Sequence, residues 1–189
     1  MALVLDRRST DTRERLIAAA LELIDSQGWP AVTLAGVARA CGVTTPACYK
    51  HFASKTGLFQ AALRQLSTSL GHRAAGSLQD DPAESLLAIG LLLVELAEDH
   101  PHLFEFNQLS PVAIAAMADP DAHHPLLATI RREVERLAAT RGADPDPLHL
   151  IIWSCLQGYT QLIAAGATTA DPEFMRRALH AAITIGDHP

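Results

Sequence analysis

At 189 residues, 49% hydrophobic and 19% charged, the chain is long enough for one sizeable core or for a small domain joined to a larger one. Its longest apolar stretch, Leu86 to Val94, is broken by Gly90 and ends at Glu95, well short of the ~20 residues a membrane span needs, and MALVLDRRSTDTRER lacks a signal-peptide core, so a cytoplasmic protein with no membrane partner is expected. The odd cysteine count (Cys41, Cys48, Cys155) excludes a simple disulfide framework, while the net charge of -6 conceals a split: +3 over residues 1–65 and -9 over the remainder. A basic end on an acidic body suits a nucleic-acid reader attached to a sensing domain, since only the first must meet phosphate.

Residues 1–9 read as a flexible arm, with Arg7 and Arg8 placed either to reach phosphates or to remain a solvated tail. From Thr10 to Ser26, the apolar positions Leu16, Ile17, Ala20, Leu21 and Ile24 recur at helical spacing. Gln27-Gly28 ends this helix, and Trp29 anchors the turn that leads to Thr33.

The stretch Thr33 to Lys55, TLAGVARACGVTTPACYKHFASK, reads as a helix-turn-helix. Thr33 caps a first short helix with Leu34, Val37 and Ala38 on its buried face, and Gly42 supplies the reversal. Thr44 caps a second, with Pro46 in its first turn, where the missing N–H costs nothing. Val43, Ala47 and Cys48 are expected inward, and Thr44, Thr45, Pro46 and Lys50 outward, on a helix too short to stand alone. Packed behind and exposed in front, it is shaped for a groove.

Ser54 opens the next helix, which continues through Leu58, Phe59, Ala62, Leu63 and Leu66 to about Gly76 and forms a natural transmission rod behind the reading helix. Pro82 to Asp99 is apolar nearly all round at its centre and is expected to be buried on most sides. Phe104, Phe106 and Asn107 follow; Pro120 to Pro125 is a loop, and Leu126 to Thr140 is amphipathic. The last two helices, about Leu148 to Ala165 and Pro172 to Ile185, carry more apolar surface than one neighbour covers, with Gly158 and Ala164 small enough for close approach. They are expected to form a homodimer interface through Ile151, Ile152, Tyr159 and Leu162, the plainer alternative being packing within the chain.

The order of the first helix, Gly28-Trp29, Val32-Thr33-Leu34, Gly42-Val43-Thr44, Tyr49-Lys50-His51-Phe52 and Ser54-Lys55-Thr56-Gly57-Leu58 resembles the N-terminal domain of the TetR/AcrR family of transcriptional regulators over residues 11–64. The resemblance implies base contacts from Thr45 and Pro46, and backbone contacts from Thr33, Thr44, Tyr49, His51 and Lys55. Lys50, where the family often has an aromatic, adds nonspecific attraction. Gly36 replaces a usual acidic or larger polar residue, and Cys48 a usual aliphatic one. The body, including HPHLF at 100–104 and Trp153-x4-Gly158, is similar to C-terminal domains of some members.

The expected fold is therefore all-α, about nine helices: a three-helix DNA-binding domain at 1–64 and a helical ligand-binding and dimerisation domain at 65–189. The expected function is a ligand-responsive regulator, a repressor that binds a palindromic double-stranded DNA operator as a homodimer and is released by a small apolar effector. Phe104, Phe106, Asn107, Trp153 and Gln157 are candidates for the pocket, as aromatics and isolated amides in an apolar helical context. Alternatives are a helical ligand-binding or scaffold dimer without specific DNA binding, and a redox-responsive regulator acting through Cys41 and Cys48. His100-x-His102 and His123-His124 lack accompanying ligands at metal spacing, and no nucleotide-binding or hydrolase motif appears, so neither metal, cofactor nor catalysis is expected.

Overall fold

From residue 82 onward six prolines mark helix starts, because proline pre-sets the helical φ and the missing N–H belongs to a group with no intrahelical partner. The structure, a computed structural model, describes residues 11–119 and 124–186. The arm with Arg7 and Arg8, and His123 of the histidine pair, lie outside those residues.

Among the described residues there are ten helices and no strand: α1 (Thr12–Gln27), α2 (Leu34–Ala40), α3 (Thr45–His51), α4 (Lys55–Gly76), α5 (Pro82–Asp99), α6 (Pro101–Leu109), α7 (Pro111–Met117), α8 (Pro125–Arg141), α9 (Pro145–Ala164) and α10 (Pro172–Gly186). The expected count of about nine misses α7. Its sequence, PVAIAAM, is apolar throughout and too short to show a period. What fixes it is Ser110, whose hydroxyl accepts from the Ala113 N–H at 3.3 Å, followed by Pro111. Aspartates do the same elsewhere: Asp11, Asp81 and Asp144 accept from the N–H two residues on, at 2.9, 2.8 and 3.0 Å.

Two compact units form, and they do not follow chain order. The first joins the chain up to Ser69 to His102–His124, and the second joins Leu70–Pro101 to the chain from Pro125 onward. In the first, α1 buries Leu16, Ala20, Leu21 and Ile24. Helix α6 is tied to α1 and to α4: His102 Nδ1 donates to the Asp25 carbonyl at 2.9 Å, and Phe106 meets Phe59 of α4 edge-on at 5.4 Å and 79°.

In the second unit α5 is the axis, with α8, α9 and α10 packed around it. Eleven of its residues are buried, as its apolar circumference requires. Gly71 on α4 permits a close approach to the start of α8: a Cβ there would lie 2.5 Å from Pro125 Cβ and 3.0 Å from its carbonyl carbon. Glu133, 1% exposed, is held by Arg136 at 2.6 Å, whose other guanidinium nitrogen donates to the Asp80 carbonyl at 2.9 Å.

Candidate nucleic-acid interface

The reading segment is built from two seven-residue helices, neither of which would persist alone. Each is started by a threonine. Thr33 Oγ1 accepts from Gly36 N–H at 3.0 Å, and Thr44 Oγ1 from Ala47 N–H at 3.3 Å. A hydroxyl that caps in this way still has its own proton to donate, so both exposed threonines retain a phosphate-seeking O–H.

Between the helices Gly42 adopts φ +68°, where a side chain would be strained, and the Val43 N–H closes the turn on the Ala38 carbonyl at 3.0 Å. Arg15 of α1 braces the same turn by donating to the Cys41 carbonyl at 2.7 Å, while Cys41 Sγ donates to the Arg15 carbonyl at 3.2 Å. Val37, Ala38 and Cys48 are closed in the core behind the pair.

In front, Thr44, Pro46, Tyr49, Lys50 and His51 are exposed, Tyr49 to 52%. Thr45, expected outward, is half-buried, as are Val43 and Ala47, expected inward. A helix of under two turns lying against a neighbour has few positions that are wholly inside or outside. Lys55, expected to meet the phosphate backbone, has its ammonium donating to the Pro30 carbonyl at 3.1 Å and 5.0 Å from the Phe59 ring centroid. Arg13, which sequence reasoning did not single out, lies 5.1 Å over the ring of buried Phe52, just behind the reading helix.

Both thiols of the reading segment are buried, and burial pushes the Cys41 and Cys48 pKa values up; for Cys41 the Arg15 charge opposes part of that effect. A redox switch draws on the thiolate, which this burial disfavours.

The pocket candidates are divided between the two units. Phe104 and Phe106 are fully buried in the first unit with Asn107 half-buried beside them in sequence, whereas Trp153 and Gln157 are half-buried on α9 in the second. None of the five lines the cleft that α4 and α7 form from Gln60, Leu63, Arg64, Val112, Ala115, Ala116, Asp119 and His124. Of the interface candidates, Ile152 is fully buried and Tyr159 nearly so; the Tyr159 hydroxyl accepts from the Asp171 N–H at 2.7 Å. Leu162 is 52% exposed and Ile151 half-buried. A Cβ at Gly158 would meet nothing within 4 Å, so among the described residues no other helix closes on it. Sequence reasoning missed the exposure of Phe174 and Ile185 on α10, although their spacing from Ala178 and Ala181 marks a second apolar stripe.

No helix among the described residues is long and apolar enough to cross a membrane. Residues 16–62 match the family model described as bacterial regulatory proteins, tetR family, and residues 86–184 match that of the tetracyclin repressor-like C-terminal domain. The nucleoid occlusion factor SlmA of Marinobacter nauticus is 33% identical over 93 residues, covering 48% of this chain and 48% of that protein. The uncharacterized HTH-type transcriptional regulator TtgW of Pseudomonas putida is 49% identical over 53 residues, covering 28% and 40%. The chain thus spans about half the length, or less, of these curated relatives. In fold it is similar to the crystal structure of a transcriptional regulator from Rhodococcus sp. Rha1, with a TM-score of 0.73 at 24% identity over 93% of this chain and 96% of that one.

Proposed function

This chain belongs to the tetR family of bacterial regulatory proteins, and we propose that it is a homodimeric repressor that grips a palindromic operator through α3 and is released by a small, largely apolar effector. The observation that carries this reading is the front of α3: Thr44, Tyr49, Lys50 and His51 stand exposed on a helix whose back is closed by Cys48. Hydroxyls, an ammonium and an imidazole are groups that donate to phosphate, and Pro46 with Thr45 occupies the tip that enters the groove. In this division of labour residues 1–64 read DNA, and residues 65–189 hold the second copy and, together with the α4 residues just before them, the effector.

The dimer surface is drawn from the last two helices. Ile151, Gly158 and Leu162 on α9 share the i, i+7, i+11 spacing, and Phe174, Ala178, Ala181 and Ile185 on α10 follow i, i+4, i+7, i+11. These stripes bear no charge, which supports a four-helix contact between two copies. Ile152 and Tyr159 support that surface from behind and do not form it.

Release is a shift in population. An effector that binds better to a dimer whose reading helices are wrongly spaced for half-sites about 34–36 Å apart lowers operator affinity, and one without that preference changes nothing. Footprinting on DNA flanking the gene tests this reading. It is expected to show two symmetric protected half-sites and to lose both in Leu162→Asp, a variant that sediments as a folded monomer. A single unsymmetric footprint that survives Leu162→Asp would sink the dimeric operator reading.

A further inference from the structure

Helices α4 and α7 flank a half-open cleft of about 290 Å³, and every described residue lining it belongs to the first unit. Its floor is apolar, made by Leu63, Val112, Ala115 and Ala116. Its polar groups, Gln60, Arg64, Asp119 and His124, are not equivalent. His124 Nδ1 lies 3.3 Å from the hydroxyl of buried Ser67, and Asp119 has an interaction of its own. Arg64 forms no ion pair or hydrogen bond among the described residues, and neither does the Gln60 amide.

A guanidinium at the mouth of an apolar cleft is a receptor for a planar carboxylate, which it engages through two parallel N–H donors. The volume falls at the lower end of small-molecule sites, which suits a small occupant. An amine would meet the unpaired charge of Arg64, whereas the Asp119 carboxylate already has an interaction of its own. We infer that this cleft is the effector site and that it takes a small apolar monocarboxylic acid, its carboxylate on Arg64 and Gln60 and its hydrocarbon on Leu63, Val112, Ala115 and Ala116.

The inference rests on the reading of the chain as an effector-released regulator and gives that effector a chemical class. It also gives the effector a lever. Arg64 stands on α4, whose first residue, Lys55, is bonded to the Pro30 carbonyl in the turn before the reading helices. An acid drawn between Arg64 and α7 therefore acts on the helix that leaves the reading head.

The test uses the full-length protein and a matched pair of probes, cyclohexanecarboxylate and cyclohexanecarboxamide, titrated calorimetrically and scored for operator release in the same samples. The acid is expected to bind about tenfold tighter than the amide or better, as a charge-assisted pair requires. Arg64→Gln is expected to abolish that preference, and Ala116→Leu, which fills the floor, to weaken both probes, with unchanged thermal midpoints for each variant. Acid and amide binding alike, neither binding, or a preference that survives Arg64→Gln would each overturn the inference. Operator binding without acid binding removes the cleft and leaves the regulator reading intact. Arg64-dependent acid binding by a protein that ignores operator DNA removes the regulator reading and leaves the cleft.

Discussion

Cys48 and Tyr49 are adjacent in sequence and opposite in environment, one fully closed and one 52% exposed. That contrast separates the residues that hold the reading helix from those that use it. The thiols of Cys41 and Cys48 belong to the first group, and their burial has a pH consequence. With a folded pKa above the ordinary thiol value of 9.0, each keeps its proton when the unfolded chain would lose it. Their contribution to stability is thus fully present below that value and falls as pH rises through it. Urea midpoints measured from neutral to alkaline pH are expected to decline across the thiol range, and a Cys41→Ala, Cys48→Ala double variant to flatten that decline. Alkylating reagents should leave both cysteines unmodified in the native protein at neutral pH. Rapid modification there would return the redox reading to consideration.

At the scale of helices, packing is decided by where backbones touch. Gly71 brings α4 against the start of α8 so closely that a methyl group would strike Pro125 Cβ at 2.5 Å and its backbone at 3.0 Å. Backbone cannot swing aside as a side-chain tip can, so Gly71→Ala is expected to cost about 1–3 kcal/mol despite its gain in helix propensity. Chemical denaturation measures this, and a variant as stable as the parent would show that the contact yields. Thr33, Thr44 and Asp81, together with the prolines that open α5 and α10, made these helix starts readable, because capping and proline placement are local chemistry, whereas α9 opens at Pro145, three residues before the expected Leu148. Helix α7 was not readable, since seven apolar residues carry no period. The interleaving of the two units was hidden for a different reason: His102 on the Asp25 carbonyl and Phe106 on Phe59 join segments 77 and 47 residues apart, and no local pattern encodes such contacts. Phe104 and Phe106 signal burial, and buried aromatics fill a core more often than they line a cavity.

Taken whole, the molecule divides its charge as it divides its labour, +3 over residues 1–65 and -9 beyond. The basic end concentrates exposed donors on α3, so attraction to DNA is expected to weaken steeply with salt, while Thr45 and Pro46 at the tip are expected to carry the choice of sequence. The central claim is that α3 reads an operator, and fluorescence anisotropy tests it most directly, with labelled DNA from the flanking region and a scrambled duplex titrated at several salt concentrations. The wild-type protein is expected to prefer the native duplex by about 10³-fold or more. Lys50→Ala should lower the salt slope by about 1 per reading head, and Tyr49→Ala should weaken binding at unchanged thermal stability. Equal affinity for native and scrambled DNA, indifferent to Tyr49→Ala, would contradict the claim.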